Sequence, residues 1–155
     1  MKEIIVIILF CILMTACTCE DITTKDGLEI QYWLSDPQGV ERDVFAINED
    51  IRAHFSVTNI SEEDIHYYTC AEVMCAYVIS PKIPGDPEAD EQFLPPLVIS
   101  GDLLQKPGEI LEDMWQFTEG EAGEYILKIH PFLVYDRPEI NQDKQFEIEF
   151  MIAGD

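Results

Sequence analysis

The chain has 155 residues, and 31 Asp and Glu stand against 9 Lys and Arg for a formal net charge of −22 at pH 7. That balance excludes nucleic acid and anionic lipid headgroups as electrostatic partners, because both demand positive charge from a protein. The hydrophobic fraction of 47% is too high for a disordered acidic tail, which leaves a folded domain whose negative surface suits cations or basic protein faces.

Lys2 leads into an unbroken apolar run from Ile4 to Met14, which gives way to Thr15-Ala16-Cys17. The run is shorter than the roughly 18 to 20 apolar residues of a permanent bilayer span, and acidic sequence follows it directly. Residues 1–16 therefore read as an export signal. Met14-Thr15-Ala16-Cys17 resembles the bacterial lipobox, where an aliphatic and two small residues precede the Cys before which the signal is cut. Met14 stands where lipoproteins usually carry Leu, and Glu3 offsets the charge of Lys2. The resemblance implies lipid on Cys17. At ~0.8 kcal/mol per buried CH₂, more than one acyl chain anchors stably where a single chain is marginal. The alternative is an ordinary secretory signal cut near Ala16, with a thiol left at Cys17. By analogy with lipoprotein sorting, Thr18 after the Cys argues against retention in the inner membrane. Glu20-Asp21 resembles the acidic surface-export signal of some Bacteroidetes-type lipoproteins. The expected location is the cell envelope, lipid-anchored at the outer membrane, with the domain periplasmic or surface-exposed.

Residues 17–26 are polar and charged and read as a lipidated tether, and residues 27–155 fit one domain with a proper core. Leu28, Ile30, Tyr32 and Leu34 alternate with Glu29, Gln31 and Trp33, the period-2 signature of a half-buried strand. Ser35-Asp36-Pro37-Gln38-Gly39 turns. A short extended piece follows at 44–47, Asn48-Glu49-Asp50 turns again, and Ile51, Ala53, Phe55 and Val57 alternate with Arg52, His54, Ser56 and Thr58. Further strands are expected at 65–69 and 75–79. Pro81, Pro84, Pro87, Pro95 and Pro96 then make residues 81–96 a long surface loop. Short strands at 97–99 and 103–105 precede the turn Lys106-Pro107-Gly108-Glu109. Residues 110–117 are extended and end in Trp115 and Phe117. The last two strands place Tyr125, Leu127 and Ile129, then Phe146, Ile148, Phe150 and Ile152, on one apolar face.

About eight short strands between Pro, Gly, Asn and Asp turns predict an all-β fold, an antiparallel β-sandwich. Phe55, Val57, Trp115, Tyr125, Leu127, Ile148 and Phe150 are its expected core. Three cysteines remain besides Cys17 and the signal's Cys11. Cys70 and Cys75 are spaced so that a loop or strand bend can close a disulfide, which persists outside the cytoplasm. Two buried thiols, or a Cys-rich metal site, are the alternatives. The state of Cys19 is open.

Phe45-Ala46-Ile47-Asn48-Glu49-Asp50-Ile51, Phe55-Ser56-Val57-Thr58-Asn59, Lys106-Pro107-Gly108-Glu109, Trp115 and Gly123-Glu124-Tyr125 together resemble the intracellular proteinase inhibitor (BsuPI-type) domain. The resemblance covers roughly residues 28–135 and implies an immunoglobulin-like sandwich. The chain departs from that family at Asn48-Glu49, where Gly-Glu is common, in the Pro-rich insertion, and in its export signal, since an exported protein does not regulate an intracellular protease.

His54 and His130 fall on the polar phase of their strands and His66 lies near a turn, so all three are expected to be solvated. No metalloprotease, hydrolase or phosphate-loop motif occurs. The acidic groups at 62–64, 86–91 and 119–121 lack the spacing of a known Ca²⁺ loop. The sequence thus leads to a lipid-anchored binding or assembly module with no catalytic residues, metal or cofactor, whose partner is an envelope protein. Two other readings stand beside it. One is a protease inhibitor presenting Phe93-Leu94 from the Pro-stiffened loop, and the other an envelope hydrolase acting through surface carboxylates.

Overall fold

The computed structural model describes residues 21–25, 27–70, 74–82, 99–135 and 145–154. These form eleven strands and no helix: β1 (Asp21–Lys25), β2 (Leu28–Ser35), β3 (Val44–Ala46), β4 (Asp50–Asn59), β5 (Ile65–Cys70), β6 (Cys75–Pro81), β7 (Ile99–Gln105), β8 (Ile110–Thr118), β9 (Gly123–Pro131), β10 (Val134–Tyr135) and β11 (Phe146–Ala153). One sheet has the order β1-β2-β4-β8, a second β3-β11-β9-β6, and a third, smaller one β10-β5-β7. The first two face each other. Strands β2-β4-β8 and β11-β9-β6 repeat the division of strands between the two sheets of an immunoglobulin-type sandwich.

The expected alternation decides which residues meet. Leu28, Ile30, Leu34, Ile51, Ala53, Phe55, Val57 and Phe117 from the first sheet join Phe45, Cys75, Tyr125, Leu127, Ile129, Phe146, Phe150 and Ile152 from the second in one buried cluster. Aromatic rings link the layers, with Phe55 5.7 Å from Phe146 and Phe117 5.9 Å from Phe150 in an edge-on contact. Trp115 and Ile148, expected in this core, are half-buried at its margin. Strand β8 is an edge of its sheet, and β3 flanks β11 only from Met151 to Ala153, so both side chains sit where cover is incomplete.

Four further features depart from the sequence reading. Residues 21–25, expected as tether, pair antiparallel with β2. Asp26-Gly27 is a hairpin sequence, and Gly27 has a φ of 87°, which only glycine takes without strain. A Cβ there would also lie 2.8 Å from the Cβ of Ser61. Strand β7 runs unbroken through Gly101-Asp102, its ladder with β5 shifting register between Tyr67 and Thr69. Strand β10 adds a two-residue pairing with β5. Finally, β3 pairs parallel with β11, so the sandwich is not wholly antiparallel, because the turn over 36–43 carries the chain from one sheet to the other.

The turns follow their chemistry. Asn48 has a φ of 59°, a conformation that Asn tolerates and that explains why it can replace Gly there. At Lys106-Pro107-Gly108-Glu109 the Glu109 N–H reaches the Lys106 carbonyl at 3.0 Å, and Gly108 supplies the positive φ of 75°. The hydroxyl of Tyr125, near the start of β9, donates to the Glu121 carbonyl at 2.9 Å, the tyrosine corner of immunoglobulin-like sandwiches. Tyr125→Phe keeps the buried ring and removes only this bond. It is expected to cost about 0.5 to 1.5 kcal/mol in urea unfolding, with an unchanged m-value.

Candidate functional site

The outward face of the first sheet departs from a plain solvated surface. Its side chains come from the polar phase of each strand: Trp33 and Ser35 from β2, His54 from β4, Glu112 and Met114 from β8. Register places Trp33 opposite His54 and His54 opposite Met114, one row across three strands. Trp33, His54, Glu112 and Met114 line a half-open hollow of about 320 Å³, with Phe55 and Asp113 of the same strands contributing to its wall. The indole and imidazole rings are stacked, 4.7 Å between centroids and 4° from parallel. Met114 is about half exposed, at 51%.

His54 is therefore not the solvated side chain expected from its phase. Ser35 Oγ lies 3.1 Å from the Asp36 carbonyl and 2.8 Å from His54 Nε2, and both hydrogen bonds form at once only in the tautomer whose Nε2 carries the proton and donates to Oγ. In that tautomer Nδ1 presents its lone pair. Burial lowers the imidazole pKa, and the Arg52 charge lowers it further against a smaller opposing pull from Glu112. The sign follows from linkage. The unfolded chain takes up a proton near pH 6.5 while the folded one resists it, so stability from His54 is present above pH 6.5 and is lost as pH falls from there toward the lower folded value. Ring-nitrogen NMR is expected to show an Nε2–H tautomer and a midpoint below 6.5. A midpoint above 6.5 would contradict the burial and the Arg52 effect.

A second cluster joins the two sheets. Asp113 on β8 accepts the Cys75 backbone N–H at 3.0 Å through one carboxylate oxygen and the Met114 N–H at 2.9 Å through the other. Burial and then the Asp113 charge push the Cys75 thiol well up, so it stays protonated and is not a nucleophile. The Tyr77 hydroxyl lies within electrostatic reach of Cys75 and Asp113 and outside hydrogen-bonding geometry, and burial raises its pKa too. Its ring stacks on Trp115. This cluster is a structural clasp.

Cys75 is a free, buried thiol, and the bridge to Cys70 that the spacing admits is not formed here. Cys75 opens β6 at an edge of the second sheet with its side chain turned into the core, whereas Cys70 ends β5 of the third sheet. The Cys70 side chain lies outside the described set, as do Cys17, Cys19, Phe93 and Leu94. Glu62, Glu63, Glu119 and Glu121 are described and lie in the connections between β4 and β5 and between β8 and β9. Among the described residues no three His, Cys, Asp or Glu side chains gather as a metal cluster.

No family model and no curated protein matches the chain. Among solved structures it is similar to the PmoD soluble domain from Methylocystis sp. ATCC 49242, at 15% identity, with 88% of this chain and 98% of that one covered and a TM-score of 0.42. A likeness of that size assigns neither family nor activity.

The hollow was hidden from sequence reasoning. Residues 33, 54 and 114 each look like ordinary outward positions, and only strand register makes them neighbours. A Trp and a Met on polar phases were the available signal, since large apolar residues there leave an outward face that water does not favour.

Proposed function

We propose that this chain is a binding module of the cell envelope, held at the outer membrane by lipid on Cys17, which offers the outward face of the β1-β2-β4-β8 sheet to a partner protein. The row Trp33, His54 and Met114 is the observation that carries this reading. A rigid sheet presents an aromatic, an imidazole and a thioether around one hollow, and aromatic and Met side chains are the residues enriched at protein interfaces. The net charge of −22 favours a partner with a basic face and speeds encounter with it. The resemblance to the BsuPI-type domain supports the scaffold, and the lipobox resemblance supports the anchor.

Two measurements test it. Labelling of cells with a fatty-acid analogue is expected to mark the wild type and not Cys17→Ser; a labelled Cys17→Ser chain would remove the anchor. Crosslinking from intact envelopes is expected to capture a partner in a salt-sensitive manner. Met114→Glu should abolish the capture, while Met151→Glu, at an exposed position on the second sheet, should leave it intact. Equal capture by both variants would refute the assignment of the face.

A further inference from the structure

We infer that the hollow lined by Trp33, His54, Glu112 and Met114 is a binding site for Cu(I), held by the Nδ1 lone pair of His54 and the thioether of Met114. This deepens the reading of the face as a binding surface by naming an ion that it would take. Three features of the geometry lead to it.

The first is preparation of the imidazole. A metal-binding histidine commonly donates its second ring N–H to a fixed acceptor, which sets the tautomer and orients the ring. In the tautomer that satisfies both Ser35 contacts, Ser35 Oγ accepts from Nε2 at 2.8 Å and donates to the Asp36 carbonyl, which leaves the coordinating lone pair on Nδ1. Stacking against Trp33 fixes the ring plane.

The second is the partner ligand. Met114 is directly opposite His54 on the adjacent strand, on the same face and in the same hollow. Cβ atoms of residues so placed are about 5 Å apart, a span that one ion bridges with the help of the flexible thioether chain.

The third is selectivity. A thioether is a soft donor that suits Cu(I), whereas Zn²⁺ prefers three or four thiolate, imidazole or carboxylate ligands, and no such group gathers among the described residues. The carboxylate of Glu112 at the rim and the negative charge of the whole chain concentrate cations at the mouth. Binding needs no change in oxidation state and no co-reactant.

The test uses the full chain in detergent with its accessible thiols alkylated beforehand, since thiolates would otherwise take the ion. Cu(I) supplied anaerobically from a chromophoric chelator is expected to transfer one equivalent to the protein and to quench Trp33 fluorescence. Ag(I), a redox-inert substitute, is expected to shift a single methionine methyl signal, identified by its loss in Met114→Leu. Met114→Leu and His54→Gln should each abolish the transfer. Ser35→Ala, which removes the group positioning the imidazole, should weaken it by about tenfold or more. Met151→Leu should behave as wild type. Unchanged transfer to Met114→Leu, or Zn²⁺ binding to this site as tightly as Cu(I), would overturn the proposal. Met114→Leu keeps the apolar surface, so failure here leaves partner capture unaffected, and failure of capture leaves the Cu(I) measurement standing.

Discussion

Phe55→Ala is expected to lower unfolding stability by about 3 to 5 kcal/mol, seen as a lower urea midpoint at nearly constant m-value. The ring is 1% exposed at the middle of β4, the strand flanked on both sides in its sheet, and it reaches across the core to Phe146 of the facing sheet. Removing it takes away the transfer free energy of the ring and leaves a cavity between two hydrogen-bonded sheets, whose ladders resist collapse into the gap. Phe55→Leu retains most of the volume and should cost much less. A loss below about 1 kcal/mol for the alanine variant, the range of surface changes, would mean that the two sheets do not meet at this ring.

Asn59→Ala is expected to cost about 2 to 4 kcal/mol, because several groups lose their partner together and each buried one left unpaired costs about 1 to 3 kcal/mol. Asn59 is fully buried at the end of β4. Its amide nitrogen donates to the carbonyls of Glu63 at 2.8 Å and Gln105 at 2.9 Å, and its oxygen accepts from the Ser61 N–H and hydroxyl. Gln105, also fully buried, donates from Nε2 to the carbonyls of Val57 and Glu109 and accepts from the Tyr135 hydroxyl at 3.3 Å. These two amides attach the small β10-β5-β7 sheet to the large one. Asn59→Asp should not rescue the loss, since it would set a carboxylate against two carbonyls. A double-mutant cycle with Gln105→Ala is expected to show coupling of about 0.5 kcal/mol or more, as for neighbours in one network. Strict additivity would mean that the two amides act separately.

The sequence by itself determined the class of fold and the inward residues of its long strands. Phe55, Val57, Tyr125, Leu127 and Phe150 are buried as their alternation requires, because a pleated strand has only two faces and one of them must leave water. Turn chemistry was equally readable at Asn48 and at Pro107-Gly108, where backbone sterics admit few residue types. Pairing and its consequences were decided only by the tertiary structure. Residues 21–25 and 134–135 become strands through backbone bonds offered by neighbours, a choice that side-chain period does not encode. Strand β7 inverts simple hydropathy, with Leu103 and Leu104 partly exposed at 39% and 40% and Gln105 fully buried, because the amide is matched by the carbonyl of Val57 on β4 and that of Glu109 across the following turn. The same holds for the candidate site. Period 2 tells which face Trp33, His54 and Met114 occupy, but register across β2, β4 and β8 is set by the packing of the opposite, apolar face, and that register alone brings the three side chains into one row.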